Sequence, residues 1–239
     1  MRVLVIGGSG HVGTLVLPYL AGQHDVTVFD LQGPPASAPV TFVRGDLRDV
    51  QSVRDAVDGS DAVVFMAMGP TKGWGSPDNA RAHLEVAVPG LHVALHTAHE
   101  AGVTHAVYTS SMSVYATPED HGRFPDESVP PDATFSYGLA KRLGEEVCRN
   151  AVLAWDMSVV ALRLCHPTAD AEFPRHDGAQ LTRTIATSAR DTARALLAAL
   201  DYRGHGFEAF CISGDAAEQR VSLAKARTTL RWEPLDSTA

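Results

Sequence analysis

Short apolar runs at residues 2–6, 25–29, 40–43, 62–66, 106–109 and 157–162 read as strands. The first of them, Arg-Val-Leu-Val-Ile, is rich in β-branched residues, as a strand covered on both faces requires. Between the strands, residues 12–20, 49–57, 79–101 and 135–154 carry apolar positions at helical spacing. This β-α alternation predicts an α/β fold, a Rossmann-type doubly wound parallel sheet whose ligand crevice lies beyond the carboxyl ends of the strands. Loops rich in Pro and Gly fall at 33–39, 69–77 and 117–131. Pro89, inside the third helical stretch, predicts a kink or break near Val88.

The turn after the first strand reads Gly7-Gly8-Ser9-Gly10-His11-Val12-Gly13. A glycine-rich strand-to-helix turn presents backbone N–H groups at a helix N-terminus, where they and the helix dipole favour a pyrophosphate. A Cβ at these glycines would block the approach of the ligand and the packing of helix on strand. The second strand ends in Asp30, one helix and one strand beyond Gly13. A carboxylate there accepts hydrogen bonds from a ribose diol and repels a 2′-phosphate, so NAD is the expected cofactor rather than NADP. Gly7, Gly10, His11, Val12, Gly13 and Asp30 are therefore expected around it, His11 as a packing residue of the turn.

Composition narrows the class further. The 239 residues, 45% hydrophobic, suit one domain, spanning 1–239, with small substrate-lobe elements at about 167–190 and 203–239. No run approaches the ~20 apolar residues of a membrane span, and the predicted strand at 2–6 occupies the N-terminal position of a signal peptide, so a cytoplasmic location is expected. Cys148, Cys165 and Cys211 show neither paired nor metal-like spacing, which leaves them as reduced thiols. The net charge of −8 offers no basic stripe for nucleic acid.

Candidate chemistry sits in the second half. Thr109-Ser110-Ser111-Met112-Ser113-Val114-Tyr115 follows a predicted strand; beyond the Pro-rich loop comes Tyr137, with Lys141 one helical turn later. A phenol ionises near pH ~10, so making it a base near neutrality asks for about three pH units, or ~4 kcal/mol. A neighbouring ammonium and a positively charged nicotinamide ring are the sources of such a shift. Without a dinucleotide fold, Tyr and Lys four apart are an ordinary solvated helix face.

On these motifs the chain resembles the extended short-chain dehydrogenases/reductases of the NAD-dependent epimerase/dehydratase family, nearly end to end. The family's glycine motif matches Gly7, Gly10 and Gly13, its acidic residue Asp30, its adenine-contacting Asp-Leu pair Asp46 and Leu47, its Ser-Ser-x-x-Val-Tyr motif residues 110–115, and its tyrosine-lysine motif Tyr137 and Lys141. Leu162-Arg163, Arg190-Asp191-Thr192-Ala193 and Arg231-Trp232-Glu233-Pro234 resemble further family motifs in the right order. The resemblance implies that Tyr137 removes a hydroxyl proton while hydride leaves the same carbon for NAD, that Ser111 hydrogen-bonds the developing carbonyl, and that Lys141 holds the nicotinamide ribose and lowers the pKa of the tyrosine.

Departures limit that carry-over. Ala87 stands where the family often has asparagine, and Met66-Ala67-Met68 where it often has histidine and small residues, which leaves backbone contacts from these three to NAD. Only the short interval from Thr168 to Arg190 stands where nucleotide-sugar enzymes carry a substantial lobe. This reduced lobe resembles that of uronate dehydrogenases and implies a small sugar-like substrate. Trp74, Ser111, Met112, Ser113, Arg175 and Arg183 are its candidate contacts, the arginines as forks for a carboxylate or as ordinary surface charges. His92, His96 and His99 share one side of a helix, but no cysteine or carboxylate completes a ligand set, and no metal is expected. In the resembled family this helix and the one bearing Tyr137 often form a four-helix dimer interface, so a homodimer is expected. Three functions remain open: an NAD-dependent dehydrogenase, a nucleotide-sugar epimerase or dehydratase that recycles its hydride, and a catalytically silent NAD-binding sensor.

Overall fold

The computed structural model describes residues 1–116, 122–173 and 180–237. Its centre is a parallel sheet of seven strands: β1 (Arg2–Ile6), β2 (Asp25–Asp30), β3 (Thr41–Arg44), β4 (Ala62–Phe65), β5 (His105–Ser111), β6 (Ser158–Leu164) and, near the C-terminus, Phe207–Ile212. Before that last strand comes a two-stranded pair, β7 (Pro167–Thr168) and β8 (Thr187–Ser188), so the last is β9. The main order is β3-β2-β1-β4-β5-β6-β9. Strand order therefore reverses between β1 and β4, and a crevice opens at that switch point.

Helices α1 (His11–Ala21) and α7 (Ala189–Asp201) cover one face; α2 (Val50–Val57), α4 (Leu91–Glu100) and α5 (Ser136–Trp155) cover the other. Because side chains alternate along a strand, Val3 and Val5 of β1 enter the first core and Leu4 and Ile6 the second. This double burial is why the strands read as unbroken apolar runs. Only β3, at the sheet edge, is largely exposed. The expected doubly wound sheet is thus present.

Two expectations are refined. The helical stretch expected at 79–101 is α3 (Pro77–Glu85), a wide π-turn at Val86–Gly90, and α4. Pro89 has no N–H for the regular ladder, so the chain widens by a residue per turn around it. Within the segment 203–239, expected to build a substrate lobe, Phe207–Ile212 instead extends the main sheet beside β6. Further along that segment, Trp232 is fully buried, and its indole N–H donates to the Asp191 carbonyl at 3.1 Å. The short α6 (Gln180–Ile185) precedes β8.

Candidate active site

Five adjacent strands, β2, β1, β4, β5 and β6, end along one cleft of about 1140 Å³. At ~4.8 Å per strand it crosses about 19 Å, a span suited to an extended ligand of two nucleotides. Its floor is the glycine turn. Gly7 has φ +83°, and a Cβ there would fall 2.4 Å from the Ala67 backbone; at Gly13 it would fall 2.1 Å from the Gly8 carbonyl. The first turn of α1 starts at Gly10, whose lack of a side chain leaves its N–H groups without a side-chain cap. A dinucleotide pyrophosphate fits that cradle.

Asp30 lies beside it. One carboxylate oxygen accepts the Ser9 N–H at 3.0 Å and the other the Leu31 N–H at 2.7 Å, which fixes the group at the cleft wall with lone pairs to spare. Asp46 and Leu47 line the same end, and Arg48 holds the Asp46 carboxyl below its usual range by hydrogen bonding and charge. His11, Val12, Met66, Ala67 and Met68 also line the cleft. The His11 ring reaches across to the Pro167 carbonyl at 3.1 Å, tying the turn to β7.

At the β5 end the cleft meets Ser111, Ser113, Tyr137 and Lys141. Ser111 closes β5 and accepts the Ser113 N–H at 3.1 Å, forming a short turn at Met112–Val114. Tyr137 and Lys141 occupy successive turns of α5 and share the face it turns to the sheet. The Lys141 ammonium is 6% exposed and donates to the Thr109 carbonyl at 2.7 Å, with the Tyr108 ring 5.1 Å and the Tyr137 ring 5.8 Å away. Burial pushes its pKa down to about 8. The Tyr137 phenol moves the other way from the expectation: burial raises it, and the Ser111 hydroxyl offsets that in part. Two neighbours whose ionisation burial perturbs, at the end of a cleft, make this end the candidate reactive site.

Other expected contacts fare differently. Met112 is 3% exposed and packs into the core under the short turn, so it is corrected from a substrate contact to a core residue. Arg183 is exposed on α6 and outside the cleft lining, and Arg175 lies outside the described residues. Trp74 is half exposed and sits on Tyr137, ring centroids 5.2 Å apart. Sequence reasoning missed His83 of α3, which edges against both Trp74, at 5.3 Å, and Tyr137, at 5.8 Å. Its Nε2 is buried without a hydrogen-bond partner, and burial lowers its pKa, so the ring is neutral. No spacing in the chain joins residue 83 to 137; the fold alone does. His92, His96 and His99 pack their rings around Trp155 instead of converging on a point. Among the described residues no group of three His, Cys, Asp or Glu is placed to hold a metal, and no helix is long and apolar enough to cross a membrane.

Known proteins are similar to this chain. An N-acetyl-alpha-D-glucosaminyl-diphospho-ditrans,octacis-undecaprenol 4-epimerase of Escherichia coli O157:H7 is 33% identical over 148 residues, 62% of this chain and 43% of the epimerase, so the match spans less than half of that protein. An NAD-dependent glucose-6-phosphate dehydrogenase of Haloferax volcanii is 25% identical over 99% of this chain and 94% of its own length. The crystal structure of a glucuronic acid dehydrogenase from Chromohalobacter salexigens superposes with a TM-score of 0.82 at 23% identity, covering 99% of this chain and 85% of that one, which shows the fold. The model of the NAD dependent epimerase/dehydratase family matches residues 3–206. With its glycine cradle, its acidic β2 terminus and a match over most of its length, the chain belongs to that NAD-dependent family.

Proposed function

We propose that the protein is an NAD-dependent dehydrogenase acting at a hydroxyl or hemiacetal carbon of a small sugar-like substrate. The observation that carries this reading is the convergence of Ser111, Tyr137 and Lys141 at one end of a cleft whose other end holds Asp30. NAD, when bound, supplies the hydride acceptor. The Gly7–Gly13 turn holds the pyrophosphate by backbone N–H groups, Asp30 takes the adenosine ribose diol, and Lys141 takes the nicotinamide ribose. Tyr137 takes the proton of the reacting hydroxyl on its phenolic oxygen, and Ser111 hydrogen-bonds that same substrate oxygen as it becomes a carbonyl. Burial alone leaves Tyr137 a weak acid, so it acts as a base only with the Lys141 cation beside it.

Two features favour a small substrate. The interval that would wall in a nucleotide, Thr168 to Arg190, is short. Trp74 overlies Tyr137 and leaves an aromatic face suited to the C–H side of a sugar ring. A second reading, an epimerase that recycles its hydride, is favoured by the named activity of the Escherichia coli relative. Absorbance of NADH during incubation with NAD and a panel of uronic acids, aldoses, polyols and nucleotide sugars separates them. Net NADH from a free sugar or sugar acid supports the dehydrogenase; a converted nucleotide sugar without NADH supports recycling; silence throughout supports an NAD sensor.

Asp30→Ala is expected to weaken NAD by about ten- to hundredfold, the worth of one charge-assisted hydrogen bond, and to raise NADP affinity by removing the repulsion. Calorimetric titration with both cofactors checks it. Unchanged NAD affinity removes Asp30 from the ribose.

A further inference from the structure

Behind Lys141 lies a buried ion pair that the proposed chemistry does not use. Glu145, one turn further along α5, and Arg163 of β6 are each 1% exposed. Arg163 Nε donates to Glu145 at 2.9 Å and a terminal nitrogen donates at 2.7 Å, a two-pronged fork. Ser110 donates to the same carboxylate at 2.7 Å. Arg163 also donates to the Tyr115 hydroxyl, which in turn donates to the Asp126 carbonyl at 2.6 Å. At the solvent side of the pair, Arg149 stands 4.0 Å from Glu145.

Glu145 is the carboxylate four residues from Lys141 on one helix, the spacing at which Lys and Glu pair. It is engaged elsewhere. Among the described residues Lys141 has no ion pair, only the Thr109 carbonyl. The titratable groups facing it are Tyr137, Glu145 and Cys148 on its own helix, Tyr108 from β5 and His83 from α3. Burial keeps the Cys148 thiol and the Tyr108 phenol uncharged, and His83 is neutral. Lys141, Arg163 and Glu145 together thus carry one excess positive charge in a dry place, and among these neighbours Tyr137 is the group left to supply an anion.

We propose that Arg163 is a positioning residue for the reaction: by holding Glu145 in a two-pronged pair, it leaves the Lys141 ammonium without a counterion so that the Tyr137 phenolate takes that place. The proposal rests on the assignment of Tyr137 and Lys141 as the reacting pair, and it deepens that assignment by naming what tunes it. Burial lowers the pKa of Lys141 to about 8 against the pull of the nearby Glu145 charge, which agrees with a buried cation that has no direct ion pair.

The test reads Lys141 directly. The chain has three lysines, Lys72, Lys141 and Lys225, so isotope-labelled lysine gives three side-chain NMR resonances that can be titrated in the protein without substrate. In R163M, Glu145 loses its two-pronged partner and keeps, among the described residues, only Arg149 at 4.0 Å as an ion-pair partner, so its charge turns toward Lys141, and the Lys141 pKa rises by up to about two pH units toward the ~10.4 of a free lysine. The double variant R163M/E145Q removes the counterion again and returns the value to about that of the wild type. If R163M does not fold, R163K serves: a single ammonium cannot form the fork, and the Lys141 pKa rises part of the way. An unchanged Lys141 pKa in the folded single variant, or an equal rise in the double variant, overturns the proposal. In an active preparation the acidic limb of the oxidation pH profile also moves to higher pH in R163M, which a merely structural defect would not do. Because the NMR readout needs no turnover, it stands or falls apart from the dehydrogenase assignment.

Discussion

Tyr137→Phe is expected to lower turnover by about 10³-fold, within the 10²- to 10⁴-fold span of a lost general acid or base, while NAD affinity changes by less than about twofold. The physical ground is the separation of tasks along the cleft. The proposed cofactor cradle takes Gly7 just beyond β1, Gly13 of α1 and Asp30 of β2, none of which touches the phenol. The Tyr137 hydroxyl faces Ser111 and the cleft end, where a reacting hydroxyl has to sit. Phe keeps the ring, and so keeps the contacts with Trp74 and His83 that shape the pocket. Single-turnover NADH formation together with calorimetric NAD titration measures both quantities. Turnover within tenfold of the wild type would assign the proton to another group, and His83 is the neighbour placed to take it.

Gly13→Ala is the second large effect expected, about a ten- to hundredfold loss of NAD affinity with a lowered Tm. A Cβ at residue 13 would lie 2.1 Å from the Gly8 carbonyl oxygen and 2.6 Å from its Cα, so backbone rather than a flexible side chain must move. Overpacking of this kind costs about 1–3 kcal/mol, and here the strain falls on the turn proposed to hold the pyrophosphate. Gly10→Ala is the matched control. Its nearest contact would be the Gly7 carbonyl at 3.3 Å, so a small adjustment suffices, and NAD affinity should stay within about tenfold. Titration of all three proteins with NAD, beside thermal melts, checks the contrast; equal affinities for Gly13→Ala and the wild type would show that the turn relaxes without cost.

The main architecture was legible because its signals are local. Strands buried on two faces are continuous apolar runs, a phosphate-binding turn needs its glycines within a few residues of each other, and Tyr137 and Lys141 are one helical turn apart. The break at Pro89 was legible for the same reason, since a missing N–H acts on its own turn. Strand β9 was not. Residues 209–212 are buried like the central strands, but the charged Glu208 interrupts the short apolar run that marks those strands. Met112 was misjudged because a three-residue turn gives no periodicity from which to tell the cleft side from the core side.

Pattern and spacing along the chain were sufficient to determine the parallel α/β class and the dinucleotide cradle with its acidic partner; the candidate reacting pair came from the resemblance of its motifs to the family. What needed the folded chain was the company those residues keep: Trp74 and His83 against Tyr137, Trp155 among three histidines, and Arg163 claiming Glu145 from Lys141. The reason is physical. Helix and strand periods report on which side of its own element a residue lies, whereas a pKa, a counterion or a ring contact depends on burial and on partners brought together from distant strands and helices.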